Sequence, residues 1–211
     1  MKSIYELIDI EDSGIKVVNE MVAGAEHCVE ILPPSKDRVE VLESLQVSTR
    51  SVLGAIAYET GGILIDNGWI RFFGSGHERL SRNLTDWNRS AHYLLVANDV
   101  VGGFFAINGG GLGADVGNIY YWSPDSIHWE GLEIGFTDFF QWSATKRISE
   151  FYASLGKERF QKTYSQIATD KCLSFYPFLW AKEGSIEISS VKVVSVDEMY
   201  RLKLELLTSV S

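Results

Sequence analysis

Apolar positions recur at helical spacing near the start of the chain, first Ile4, Leu7 and Ile8, then Ile15, Val18 and Val22. This spacing predicts helices over Ile4 to Ile8 and Ile15 to Ala25. Cys28 to Leu32 is a short apolar run stopped by Pro33-Pro34 and reads as a strand, and Ser35 is positioned to cap a helix over residues 36–45. Ser51 to Tyr58 predicts another helix, closed by Gly61-Gly62. After these helices the chain turns to hairpins. Ile63 to Asp66 and Trp69 to Phe73 flank Asn67-Gly68, the dipeptide that most strongly signals a tight hairpin because both residues tolerate positive φ.

The middle of the chain continues in strands. Asp99 and Gly102-Gly103 separate the apolar runs Tyr93 to Ala97 and Phe104 to Ile107, which predicts a second hairpin. The segment from Asn108 to Asn118 holds five glycines around Asp115 and reads as a loop, after which Ile119 to Trp122 resumes β-type residues. The five runs are expected in one mostly antiparallel sheet covered by helices, an α+β fold. The polar stretch Gly74 to Ser90 is read as a loop with one helical turn near Leu84 to Trp87, and Thr137 is read as the cap of a helix running from Asp138 to Leu155. Residues 157–180 mix aromatics without a clean period, Ile186 to Val194 suggests an edge strand, and Ser195-Val196-Asp197-Glu198 is a capping box. It opens a helix with Met199, Leu202 and Leu206 on one face. The expected organisation is a domain over 1–155 with a C-terminal extension, 156–211, packed on it or merged into the same domain.

Composition adds bounds. With 211 residues and 45% hydrophobic content, the chain can bury a sizeable core. Cys28 and Cys172 lack CxxC spacing, and the acidic opening MKSIYELIDIEDSG does not read as a signal peptide, so a cytoplasmic protein with free thiols is expected. No run approaches the roughly 20 apolar residues of a membrane span, so no membrane association is expected. The sequons at Asn83 and Asn88 read as chance matches. The net charge of −9 is unevenly distributed: residues 91–145 carry six acids and neither Lys nor Arg. A nucleic-acid binder needs a basic stripe, so that partner is not expected. An acidic face suits a protein partner with a basic surface, and simple solubility is the alternative reading.

Catalytic motifs fail on context. Gly109, Gly111 and Ala114 fit a loose dinucleotide fingerprint, but the loop leads into a strand where that motif requires a helix. Ser143-Ala144-Thr145-Lys146 matches SxxK without its companion motifs and reads as an exposed helix turn. His128-Trp129-Glu130 is an HxE without the downstream Pro-Cys-x-x-Cys of zinc deaminases. His27, His77, His92 and His128 show no metal-ligand spacing, and pairs such as His77-Glu78 or Asp125 with His128 could act only if the fold brought them into a cleft. No metal, nucleotide or other cofactor is expected. Of the six tryptophans, Trp122 and Trp142 read as core, whereas Trp87 and Trp129 lie in polar stretches and are candidate interface residues beside a core reading. The candidate partner-binding set is Trp87, Asp99, Asp115, Asp125, Trp129 and Glu130, its acids expected in exposed turns and strand ends.

The two-glycine turn feeding Phe104-Phe105-Ala106-Ile107-Asn108, the Ile119-Tyr120-Tyr121-Trp122 and Pro124-Asp125 pair, and Asp138-Phe139-Phe140-Gln141-Trp142 resemble a bacterial domain-of-unknown-function family allied to the SUKH superfamily. Tyr58 to Asp66 and Gly68 to Gly74 extend the resemblance, which covers about residues 50–145; from Lys157 onward the sequence departs from it. The resemblance implies a curved, mainly antiparallel sheet and a protein-binding role, in bacteria commonly immunity-type neutralisation of a toxin domain, with no catalytic residues. Two functions are therefore carried forward: a protein-binding protein with a basic partner, and a small hydrolase or small-ligand binder with a site at the Asn108 to Asn118 loop. Sequence leaves the partner's identity and the oligomeric state open.

Overall fold

The computed structural model describes residues 1–87, 92–160 and 162–210. The element order is α1 (Ile4–Leu7), α2 (Ile15–Ala23), β1 (Val29–Leu32), α3 (Arg38–Leu45), α4 (Val52–Glu59), β2 (Gly62–Ile65), β3 (Ile70–Phe73), β4 (Tyr93–Asp99), β5 (Phe104–Asn108), β6 (Asn118–Trp122) and β7 (Glu130–Gly135). There follow α5 (Phe136–Ser143), α6 (Arg147–Phe151), α7 (Lys157–Phe160), β8 (Lys171–Tyr176), β9 (Ser190–Ser195) and α8 (Val196–Val210). β1 to β7 form one antiparallel sheet whose spatial order equals the chain order, and β8 pairs with β9 in a separate ribbon. The α+β class and the placing of five strands in one antiparallel sheet agree with the sequence pattern. The second sequon, Asn88-Arg89-Ser90, and the end of the Gly74 to Ser90 loop lie outside the described residues.

The sheet is a middle layer with apolar cover on both faces, which is why β2 and β3 are buried at every position, Arg71 of β3 included. One face carries Phe72, Phe105 and Tyr121. Phe72 meets Phe139 and Phe140 of α5 at 5.1 Å, and Tyr121 meets Phe151 of α6 at 5.3 Å. The opposite face carries Arg71, Phe73, Phe104 and Trp122. It is covered by Trp87 and by the C-terminal part, with Tyr200 of α8 lying 5.1 Å from Phe104.

Local chemistry sets the boundaries. Ser51 caps α4 by accepting from the Gly54 amide at 3.0 Å. Ser35 does not cap α3: Asp37 occupies that position, and the Ser35 hydroxyl donates to the Ser75 carbonyl. In the first hairpin Asp66, Asn67 and Gly68 all have positive φ, 50°, 55° and 85°, so the Asn-Gly signal is realised in a loop of four residues between the paired Ile65 and Ile70. The single helix expected from Asp138 to Leu155 is two. The hydroxyls of Ser143 and Thr145 donate back to the carbonyls of Phe140 and Trp142, competing with helix continuation where α5 stops. β7 and β8 lack a sequence counterpart in the expectations above; β7 contains glycines at 131 and 135 and is interrupted by a residue with positive φ, Glu133.

Buried cations tie the C-terminal part to the sheet. Arg71, 1% exposed, donates to the carbonyls of Gly68, Thr169 and Lys171. Lys157 pairs with Asp66, which also accepts from the Tyr164 hydroxyl at 2.9 Å. The amide of Leu173 in β8 donates to the carbonyl of Val100 at 2.7 Å.

Candidate functional site

The six residues singled out in the sequence fall into four environments. Asp99 is fully buried, which corrects its placing in an exposed turn. It is the last residue of β4, and the hairpin turn comes after it, over Val100 to Gly103, with Gly102 at φ 89°. Its carboxylate accepts from the Gly103 amide at 2.7 Å, the Tyr121 hydroxyl at 2.7 Å and the Tyr152 hydroxyl at 2.8 Å. Burial pushes the carboxyl up from its ordinary range although these three donors pull it down. Gly103 serves this arrangement by close approach: a Cβ there would lie 2.4 Å from Asp99 Oδ2 and 2.5 Å from the Tyr121 ring.

Asp115 belongs to the glycine loop and helps to shape it. It accepts from the Tyr120 hydroxyl and from Asn118 Nδ2, and the first of these holds its carboxyl below the usual range. Asn108, 1% exposed, closes the loop from inside: its side chain accepts from the amides of Gly110 and Leu112 and donates to the carbonyl of Gly113. The loop's polar groups thus bond to one another, and the one ionisable side chain of Asn108 to Asn118, Asp115, is engaged by Tyr120 and Asn118.

Trp87 and Trp129 are half-buried and pack inward. Trp87 stacks on Tyr200 at 4.9 Å, with the Arg82 guanidinium 4.4 Å from its ring centre. Trp129 lies between Tyr93 at 5.3 Å and Trp122 at 5.0 Å. Asp125 and Glu130 are exposed. The turn bearing Asp125 is braced from below by Lys203, 1% exposed, which donates to the carbonyls of Ser123 at 2.7 Å and Ser126 at 3.1 Å. Between the Trp122 and Trp180 rings, burial pulls its ammonium down to about 7.

Glu130 opens β7, and β7 leads to a groove that sequence reasoning did not single out. Leu132 and Ile134 of β7 face Trp142 of α5 and Phe151 of α6 across a cavity of about 520 Å³ whose wall also includes Asp138 and Arg147. All four apolar residues are partly exposed, so Trp142, read as core, is also a surface residue. The exposed acids Glu130, Glu133 and Asp138 belong to the same strand and helix. The signal available in the sequence was the alternation Glu130-Gly131-Leu132-Glu133-Ile134, obscured by its glycines.

The candidate catalytic pairs are dispersed. Ser143 of the SxxK match is buried, not exposed as expected, and Lys146 faces Glu26 at the surface. His128 is exposed, and the His77 side chain accepts from the Arg79 amide. His27 Nδ1 stands 3.8 Å from Asp66. Among the described residues no three His, Cys, Asp or Glu side chains are grouped as a metal would require.

Comparison with known proteins places the chain. The sequence profile described as "Protein of unknown function DUF2625" matches residues 4–199. The chain belongs to the DUF2625 family. The match runs well beyond the 50–145 segment on which the sequence resemblance rested, through the C-terminal part that departed from it. Among similar proteins, "Putative uncharacterized protein YbfG" of Escherichia coli (strain K12) is 36% identical over 212 residues, 98% of this chain and 97% of its own length. An "Uncharacterized protein" of Haemophilus influenzae is 32% identical over 218 residues, 99% of this chain and 92% of its own length. This is therefore a bacterial-type DUF2625 fold, and among its described residues no helix is long and apolar enough to cross a membrane.

Proposed function

We propose that this DUF2625 protein is a non-enzymatic protein-binding protein whose acidic β7–α5 face meets a partner with a basic surface. The observation that carries the reading is that β7 and α5, whose partly exposed Leu132, Ile134 and Trp142 line an open groove with Asp138, also expose the acids Glu130 and Glu133. Apolar side chains give an interface its central burial, while surrounding charges steer encounter and choose the partner. Asp125 is exposed on the turn ahead of β7, whereas Asp99 and Asp115 are engaged within the fold. The likeness to SUKH proteins adds an immunity-type role to this proposal, with a bacterial toxin domain as the partner.

The test begins with partner capture by in-cell crosslinking from a benzophenone amino acid at position 130. The association rate of the captured protein is then followed against ionic strength for wild type and for Glu130→Lys/Glu133→Lys. The doubly reversed protein is expected to associate about tenfold or more slowly at low salt, with a flatter salt dependence. Its melting temperature should be unchanged, because exposed charges contribute little to stability. Superimposable rate curves would refute the proposal and leave the acids with a solubility role.

A further inference from the structure

We infer that the groove between β7 and α5 receives a basic amphipathic helix of the partner and not an added β-strand; the inference rests on the protein-binding reading above. β7 is the terminal strand of the sheet, and among the described residues its outer edge has no strand partner. Such an edge ordinarily invites strand addition. Here its backbone is irregular. Tyr120 pairs with Gly131 and Asn118 with Gly135, so Leu132, Glu133 and Ile134 all lie opposite the single residue Ile119. Glu133 takes a left-handed conformation, φ 57°, in the middle of this bulge. A bulge of this kind breaks the regular row of amides and carbonyls that an incoming strand would have to match.

The same bulge leaves Leu132 and Ile134 in one wall of the groove. The facing wall has helical periodicity over α5, where Asp138, Gln141 and Trp142 follow one another at i, i+3 and i+4, and Thr145 continues the wall just past the helix end. Side chains spaced in this way form the ridge against which a second helix packs. The groove's floor is apolar, Leu132, Ile134, Trp142 and Phe151, and its lining carries Asp138 and Arg147, with the acids Glu130 and Glu133 exposed on the strand that forms one wall. The complementary ligand is a helix with an aliphatic stripe at i, i+3, i+4 and i+7 flanked by Lys or Arg.

The probes are three synthetic Leu/Lys peptides of about 18 residues, five helical turns. They have identical composition, with the leucines at helical spacing, in strict alternation, or scrambled. Binding is read by the Trp142 indole N–H resonance, assigned with Trp142→Phe. The helically patterned peptide is expected to shift this resonance with a dissociation constant at least about tenfold below those of the other two, as an anchored interface requires. Ile134→Ser, at a partly exposed position and with unchanged melting temperature, should weaken it by a similar factor. Tighter binding of the alternating peptide would overturn the inference in favour of strand addition while leaving the acidic-face reading intact. Equal binding of the scrambled peptide would reduce the site to charge alone and overturn the groove. Absence of any shift would also overturn it. The charge-reversal experiment with the captured partner then decides the protein-binding reading by itself.

Discussion

Tyr152 and Asp99, 53 residues apart in the chain, meet inside the protein, the phenol donating a 2.8 Å hydrogen bond to the carboxylate. The bond joins the segment that follows α6 to the end of β4, at a point where Tyr121 and Gly103 donate to the same side chain. A buried carboxyl with three donors is costly to leave half satisfied, because each orphaned donor keeps its desolvation penalty. Asp99→Ala is therefore expected to destabilise the protein by about 2–4 kcal/mol, measured by urea unfolding.

The same group predicts a pH dependence. The Asp99 carboxyl is raised in the folded state, so the native protein holds that proton more tightly than the unfolded chain. Its contribution to stability is then fully present below the unfolded value and is lost as pH rises through the folded one. Asp99→Asn should lack this loss. The stability of the variant relative to wild type is expected to improve from about pH 4 upward, and unfolding free energies measured at intervals to about pH 8 would check it.

Lys203 has the opposite arrangement. Its ammonium is depressed to about 7, so above that value the unfolded chain binds the proton that the native protein has released. Stability from this group therefore rises with pH between about 7 and the ordinary lysine value of about 10.4, and the full cost of burying the charge is felt below 7. Lys203→Met keeps the length of the side chain, removes the donors to Ser123 and Ser126, and should abolish that rise in a series of melting temperatures.

Gly103 is expected to resist substitution for reasons of space and not of backbone torsion. Gly103→Ala places a methyl group against Asp99 and the Tyr121 ring. The predicted cost is about 1–3 kcal/mol, the usual range for overpacking, with a loss of protection at the Gly103 amide in hydrogen exchange.

The two thiols should separate cleanly. Cys28 is exposed, whereas Cys172 is fully buried, and burial pushes its thiol up to about 12. Native protein is expected to react with one equivalent of a thiol reagent at neutral pH and to release the second only on denaturation. Prompt reaction of both would mean that β8 opens readily.

The sequence by itself determined the local structure wherever one segment contains its own cause. Asn67-Gly68 can adopt the left-handed turn without help, Ser51 carries its own cap for α4, and the apolar runs and glycine turns from Tyr93 to Trp122 contain the meander. The absence of Lys and Arg from 91 to 145 was equally plain. Tertiary structure decided what those residues face. Asp99 reads as a turn acid because its donors Tyr121 and Tyr152 lie far along the chain, and its neighbours in sequence say nothing about them. Trp87 and Trp129 stand among polar residues, yet their rings rest on Tyr200, Tyr93 and Trp122, which the fold brings from elsewhere. Residues 157–180 lack a period because their partners are single buried cations and ring contacts on the sheet's second face, not one continuous stripe. The β7–α5 groove escaped for the same reason: a bulge at Glu133 breaks the alternation that periodicity requires, and only packing against α5 turns Leu132 and Ile134 into the wall of a site.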